Sequence, residues 1–500
     1  MPSTTADKQR RVLLASAEIV PFAKEGGLAD VAGALPKALA EVGVDIRAVM
    51  PLYGGIDRDK FGIKSLESIP PLEIPMGPDT ETAAVYATKI PGSDVPVYMI
   101  ANGRFFDRKG VYNDPETGEG YSDNAFRFIF FQKAVIELLR HLNWTPEVIH
   151  CNDFHTGLIP YYVRSRRGEL RELEATLFSI HNLAYQGVVP LEIMPVAEIP
   201  LEKFYPMSPF EFYGKVNMMK VGIVYATLIN TVSPTYAREI QSDAEFGAGL
   251  EGVLRSRASD LSGIINGIDY SVWNPEIDSL IPHQFSAADL KGKELNKQEL
   301  LKHYNLPQRK GRVPLIGIIS RLADQKGFDI LEESLDRLME QDIQMVVLGT
   351  GVRKYHELFE AAAAKYPEKL GVSLAFDNAL AHLIEAGSDM FLMPSRYEPC
   401  GLNQLYSLRY GTIPVVRATG GLADTIADYN PESGRGTGFS FKEYSGHALF
   451  GAVQRAVRLF ADGKSWKALI GNAMTADFSW KSSAEKYLKL YNRAVLETAR

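Results

Sequence analysis

Short apolar runs alternate with helix-period segments along almost the whole chain. In the first half the runs fall at 12–16, 46–50, 97–100, 147–151, 176–180 and 227–232; in the second they fall at 315–320, 345–348, 372–375, 390–393 and 413–416. Runs this short, apolar throughout and bounded by turn residues, read as strands buried on both faces. Their alternation with helical periods predicts parallel sheets covered by helices on both sides, an α/β fold with two doubly wound domains as its simplest packing. The polar, lysine-rich segment 283–312 interrupts the rhythm, so the crossover is expected around 255–275, with domains at 1–258 and 259–478. Trp480, Ala484, Tyr487, Leu488, Tyr491 and Val495 recur at helical spacing. Segment 479–500 therefore reads as a terminal helix that needs a surface to cover, with the first domain as a candidate.

Sheets of this kind bind ligands at the carboxyl ends of their strands, so residues that directly follow an apolar run are the candidates for chemistry. After the first run comes Lys24-Glu25-Gly26-Gly27-Leu28-Ala29-Asp30-Val31, leading into a helical stripe of Leu28, Val31, Leu35, Leu39 and Val42. Gly26 and Gly27 let a ligand approach the backbone, and the helix N-terminus with Lys24 beside it favours an anion such as a phosphate. A tight strand-to-helix turn with a solvated lysine is the alternative. Pro36 predicts a kink or restart in that helix. The string Gly-Gly-Leu-Ala-Asp returns at 420–424, after Thr419 and another apolar run, which suggests two similar halves offering helix ends to one ligand.

Other run ends carry polar side chains. His150-Cys151-Asn152-Asp153-Phe154-His155 follows one run and Ser179-Ile180-His181-Asn182 the next; Asp153 and His181 can serve as proton-transfer or hydrogen-bonding groups, or merely cap the next helix. Arg321 and Lys326 lie beyond the run at 315–320 and, with Lys24, supply three cations for a diphosphate. In Pro394-Ser395-Arg396-Tyr397-Glu398-Pro399-Cys400-Gly401-Leu402-Asn403, Glu398 can accept sugar hydroxyls and the amides of Gly401 and Leu402 can meet a phosphate. The polar stretch 102–124 reads as a binding loop or a disordered excursion. Gly247-Ala248-Gly249-Leu250-Glu251-Gly252 matches a dinucleotide fingerprint, but no apolar run precedes it; a mobile glycine-rich loop is the better reading, and a nicotinamide or flavin oxidoreductase loses its support.

Composition narrows the field. The chain has 500 residues, 46% of them hydrophobic, enough for two cores, and a formal net charge of −7. No positive field gathers nucleic acid or anionic membrane, so a phosphate site must be local. The two cysteines, Cys151 and Cys400, form no disulfide framework or zinc spacing. Met1 to Arg11 carries no apolar signal core and no run approaches a membrane span, which leads to the expectation of a cytoplasmic protein.

Taken together, Lys24 to Val31, Ser179-Ile180-His181-Asn182-Leu183-Ala184-Tyr185-Gln186-Gly187, Asn266-Gly267-Ile268-Asp269 and Pro394 to Leu402 closely resemble bacterial glycogen synthases and plant starch synthases, from about residue 11 to the C-terminal helix. The resemblance implies a GT-B fold, two Rossmann-like domains around a central cleft, and retaining transfer of glucose from a nucleoside diphosphate glucose, usually ADP-glucose, to the non-reducing end of an α-1,4-glucan. It implies no metal and no cofactor. Carried over by motif, Glu398, His181, Asp153, Lys326 and Arg321 are the catalytic group. Lys24, Gly26, Gly27, Asn182, Asn266, Phe376, Cys400, Gly401, Leu402, Asn403, Thr419 and Gly420 are the substrate contacts. Three departures stand out: Tyr406 where related transferases often place a second glutamate, Asn403 for a frequent threonine, and Phe376 for a base-stacking tyrosine. A UDP-glucose enzyme, a pyridoxal-dependent glucan phosphorylase and a non-catalytic glucan binder are the competing expectations.

Overall fold

A computed structural model describes residues 9–165 and 175–498. The reading of the first eight residues and the last two positions of the terminal helix lie outside them. The chain divides into two compact units. One runs to Val232 and adds Ala237–Gly267 and the chain from Trp480 onward; the other comprises Ser233–Tyr236 and Ile268–Ser479.

The first unit carries β1 (Arg11–Ala15), β2 (Asp45–Pro51), β3 (Lys64–Ser65), β4 (Leu72–Met76), β5 (Asp79–Lys89), β6 (Pro96–Ala101), β7 (Val148–Asn152), β8 (Ala175–Ile180), β9 (Val188–Val189), β10 (Glu211–Phe212), β11 (Lys215–Asn217), β12 (Leu228–Thr231) and β13 (Leu261–Gly263). Its main sheet runs β13-β12-β8-β7-β1-β2-β6-β5-β3, with β4 beside β5. Neighbours from β13 to β6 are parallel, while β3, β4 and β5 form an antiparallel extension. β9, β10 and β11 make a small separate antiparallel sheet.

The second unit holds β14 (Leu315–Ile319), β15 (Gln344–Leu348), β16 (Leu370–Ser373), β17 (Met390–Met393), β18 (Ile413–Arg417) and β19 (Phe439–Phe441), all parallel, in the order β16-β15-β14-β17-β18-β19. In both sheets the chain lays strands on one side of its first strand, then returns to the middle and steps outward on the other. The direction reverses between β1 and β7 and between β14 and β17. Loops leaving two such strands must diverge to opposite faces, which opens a crevice at their carboxyl ends.

Two expectations need correction. The helix Gly27–Glu41 is continuous through Pro36, so it does not restart there. Leu28, Val31, Leu35 and Leu39 are all buried, so packing along both halves holds the rod together despite one missing amide. The glycine-rich stretch after Gln241 is no open loop: a one-turn helix, Ala244–Gly247, and a second, Glu251–Ser256, flank a left-handed pair at Ala248 and Gly249 (φ 48° and 84°).

The stretch 102–124 is organised from below by the fully buried Arg127. Its Nε donates to the Phe105 carbonyl (2.7 Å), and Nη1 donates to the Val111 carbonyl (2.8 Å) and Asn124 Oδ1 (2.6 Å). The helix Trp480–Thr498 packs on the helix Gly27–Glu41 and on β8. Beneath it runs a buried polar chain: Tyr491 donates its hydroxyl to His150 Nδ1 (2.9 Å), His150 Nε2 donates to Ser179 Oγ (2.5 Å), Ser179 donates to Asn230 Oδ1, and Asn230 Nδ2 donates to the Tyr487 hydroxyl (3.1 Å). Every polar side chain forced into this layer thereby finds a partner. Among the described residues no helix is long and apolar enough to cross a membrane.

Candidate active site

In the first unit the residues singled out from sequence gather at the mouths of β1, β7 and β8. Asp153 directly follows β7 in a left-handed conformation, φ 53°, that a non-glycine residue rarely adopts. Its Oδ1 accepts the His181 amide at 2.8 Å, so the loops leaving β7 and β8 are joined through the carboxylate. Burial pushes Asp153 up to about 7 against the lowering effect of the His181 and Asn182 amides, and the carboxylate of Glu18 adds to the rise.

His181 Nε2 lies 2.9 Å from Asn152 Oδ1. The Asn152 amide nitrogen donates to the carbonyls of Ala15 (3.0 Å) and His150 (3.3 Å), which leaves Oδ1 as acceptor and assigns the proton to Nε2 of a neutral His181. Burial lowers the imidazole to about 4. Asn182 turns its side-chain oxygen onto the Ala184 amide (3.1 Å), while Asn266 is buried with its Oδ1 lacking a partner among the described residues.

Lys24 is half-exposed and pairs with Asp30 at 2.7 Å, a bridge within its own loop. Gly26 and Gly27 adopt no left-handed angle, and a Cβ on either would meet no atom within 4 Å. Neither glycine is demanded by backbone or packing. The repeat at 420–424 is built differently. Gly420 has φ 44°, a Cβ there would overlap the Glu398 carbonyl oxygen, and one on Gly421 would overlap that of Cys400. The Gly421 amide is engaged by the Glu398 and Pro399 carbonyls, both at 3.1 Å, and the helix that follows, Gly420–Thr425, is only 6 residues long. Asp424 accepts from Ser233 Oγ (2.5 Å), the Thr235 amide (2.8 Å) and Thr235 Oγ1 (2.6 Å), whereas Asp30 holds a lysine. The two helix ends, similar in sequence, are thus built differently: Gly420 and Gly421 pack closely against the Glu398 loop and Thr419 is buried.

That loop and the one after β14 form the centre of the second unit's switch point. Lys326 Nζ meets Glu398 Oε2 at 2.7 Å, and Ser395 Oγ donates to the same oxygen at 3.0 Å. Gly327 makes this approach possible: at φ 74° its missing side chain leaves room for the Pro394 carbonyl oxygen. The Arg396 amide donates to the Gln325 carbonyl (2.8 Å) and Gln325 Nε2 to the Tyr397 carbonyl (3.1 Å), fastening the two loops together. Arg321 is exposed just beyond β14. Asn403 ties the first turn of its helix to the Ile319 carbonyl at 2.8 Å, Cys400 is buried, and Gly401 turns with φ 71° between it and Leu402. Phe376 stands 87% exposed past β16. Tyr406 instead stacks on Trp273 (3.8 Å, 7°), whose ring stacks on His382 (3.8 Å, 13°), so the position that departs from related transferases is committed to packing.

Two further residues escaped the sequence reading. Glu18 sits within a short apolar stretch and accepts the amides of Glu25 and Gly26; Tyr112, inside the polar stretch, donates its hydroxyl to it. A carboxylate directly after a buried strand was the signal available for the first.

The family model described as starch synthase catalytic domain matches residues 11–256, and that described as glycosyl transferases group 1 matches residues 305–472. The chain is 47% identical to the glycogen synthase of Thermosipho africanus over 490 residues, covering 97% of this chain and 99% of that protein. The chain belongs to the glycogen synthase family. Glycogen synthase 1 of Geobacter metallireducens is 45% identical over 492 residues, covering 98% and 97%. Among solved structures, the catalytic domain of starch synthase IV from Arabidopsis thaliana, bound to ADP and acarbose, superposes with a TM-score of 0.88 at 33% identity, covering 98% of this chain and 99% of that one. Sucrose-phosphate synthase from Thermosynechococcus elongatus, at TM-score 0.56 and 17% identity, shares the fold. The family member described here is a glycosyltransferase of GT-B type that uses a nucleotide-sugar donor and a glucan acceptor.

The contrast between the glycine pairs gives a first prediction. Gly27→Ala leaves the thermal midpoint within about 1 °C of the parent, while Gly421→Ala lowers it by several degrees, as overpacking of about 1–3 kcal/mol requires; differential scanning calorimetry reads both. A second concerns acid. Burial holds His150 and His155 down to about 3 and His181 to about 4, so between about pH 6.5 and 4 the unfolded chain binds more protons at these three groups and their contribution to stability falls as the pH falls. His155→Phe removes one of these groups and flattens the slope of unfolding free energy in that window by up to about 1.4 kcal/mol per pH unit, measured by urea denaturation at stepped pH.

Proposed function

We propose that the enzyme transfers glucose from ADP-glucose to the non-reducing end of an α-1,4-glucan with retention, and that it works in the cytoplasm. The second unit, sequence 259–478 in the reading above, is the nucleotide-sugar domain, and the first unit supplies the acceptor side and the remaining catalytic groups. The observation that carries this reading is the Lys326–Glu398 pair at the switch point between β14 and β17, in a chain of this family. ADP as the nucleotide is supported by its presence with the Arabidopsis starch synthase IV domain, and a reducing compartment suits two buried cysteines that are not joined in a disulfide.

In this mechanism Phe376 stacks on the base, and Arg321 and Lys326 hold the diphosphate. Lys24 and Gly27 contact the phosphate and glucose region. The bond from the anomeric carbon to the phosphate oxygen lengthens, and negative charge grows on the leaving diphosphate where the cations stabilise it. Glu398 holds glucose hydroxyls and faces the developing positive charge at the anomeric carbon. The acceptor 4-hydroxyl enters on the same face, its oxygen forms the new bond, and a departing phosphate oxygen takes its proton. Asp153 and the backbone and ring of His181 line the reacting centre, with the neutral imidazole positioning the sugar. Asn182, Asn266, Gly26, Cys400, Gly401, Leu402, Asn403, Thr419 and Gly420 complete the substrate-contacting surface.

Two measurements test this. Incubation of the protein with a glycogen primer and either ADP-glucose or UDP-glucose should release nucleoside diphosphate faster from the adenine donor; a preference for the uridine donor overturns the assignment. Lys326→Ala should lower kcat/KM by about 2–4 kcal/mol of transition-state stabilisation, and Glu398→Gln should depress turnover far more than ADP affinity measured by calorimetry. Equal losses of turnover and affinity in Glu398→Gln would recast that carboxylate as structural.

A further inference from the structure

No role in transfer has been given above to Glu18, yet the Lys24–Gly27 segment hangs on it. Glu18 lies just past β1, is 3% exposed, and spends both carboxylate oxygens on partners. Oε2 accepts the amides of Glu25 (2.5 Å) and Gly26 (3.1 Å), and Oε1 accepts the Tyr112 hydroxyl (2.9 Å). The helix that begins at Gly27 has no side-chain cap from its own N-cap residue, Gly26. A buried acid from the preceding loop supplies the acceptor that such a start otherwise lacks.

Other restraints on this segment are weak by comparison. The Lys24–Asp30 bridge is half-exposed, and pairs of that kind contribute little to order. Gly26 and Gly27 have open space on the side where a Cβ would stand, so packing does not set their path. Charge-assisted bonds from the two amides to the buried Glu18 carboxylate are the strong restraint present. Tyr112 braces the arrangement: its ring stacks on His155 (4.8 Å, 19°), and it belongs to the stretch that Arg127 anchors through three hydrogen bonds.

We propose that Glu18 is a positioning residue for transfer: by pinning the amides of Glu25 and Gly26 while Tyr112 braces its other oxygen, it fixes the path of Lys24–Gly27 and thereby the aim of Lys24 and Gly27 at the donor. It rests on the donor-contacting reading of that segment given above. The long polar stretch 102–124 then acts, through Tyr112, as a buttress of the donor loop.

The test compares Glu18→Ala, Glu18→Gln, Tyr112→Phe and Lys24→Ala in the full chain. Three quantities are read: the rate of tryptic cleavage after Lys24 in the native protein, kcat and KM for ADP-glucose, and KM for glycogen. Glu18→Ala should raise native-state cleavage at least tenfold and lower kcat/KM for the donor at least tenfold, with the glycogen KM unchanged. Glu18→Gln, which keeps one acceptor oxygen, should recover part of both effects, and Tyr112→Phe should fall between it and the parent. Loss of active enzyme by misfolding lowers kcat alone and leaves the donor KM untouched. If Glu18→Ala does not fold, parental cleavage and parental kcat/KM in both Glu18→Gln and Tyr112→Phe overturn the proposal. Faster cleavage with unchanged kcat/KM in Glu18→Ala overturns it as well. An impaired Lys24→Ala beside an unimpaired Glu18→Ala sinks the positioning role and leaves the donor reading intact; a fully active Lys24→Ala sinks the donor reading, and the proposal with it.

Discussion

Each sheet returns to its middle strand before growing in the other direction, and most of what this chain can do follows from that constraint. A right-handed crossover must pass over one face of the sheet on the way out and over the other after the reversal. The two central loops therefore part, and the polar residues that follow the two strands are set side by side. In the first unit those strands are β1 and β7, which bring Glu18, Lys24 and Asp153 to one mouth; in the second they are β14 and β17, which bring Lys326 to Glu398. A fold of this order turns sequence neighbours of distant strands into chemical neighbours without any single residue specifying the encounter.

Charges placed there need restraint, and the two units provide it in different ways. The second unit uses side chain against side chain, with Ser395 and Lys326 converging on one oxygen of Glu398, and one backbone bond and one from the Gln325 side chain lacing the loops. The first unit uses carboxylates against amides: Asp153 takes the His181 amide and Glu18 takes those of Glu25 and Gly26. Amide donors are fixed in the backbone and cannot rotate away, so loops held in this manner keep their path with few contacts.

All eleven strands expected from apolar runs are present, because buried parallel strands are apolar on both faces and announce themselves without context. Several of the strands that sequence reading missed have the opposite property. β5 is polar and lies at the antiparallel margin, and β3, β9 and β10 have 2 residues each, too short to show a period. The site was legible at the level of which residues stand at strand ends. Their partnerships were not: identical pentapeptides at 26–30 and 420–424 differ in whether the glycines face open space or backbone, which depends on the Glu398 and Cys400 carbonyls. The continuity of the helix through Pro36 was likewise a matter of packing, and local sequence had no access to it.

The polar chain under the terminal helix has a consequence for how the protein comes into being. Ribosomal synthesis delivers the first unit's sheet well before Tyr487 and Tyr491, the partners of Asn230 and His150. The continuous span Ile268–Ser479 is complete before them. Vectorial production thus reverses the order in which the halves can finish: the half begun first is completed after the other, and its central histidine meets Tyr491 only once that span has been made.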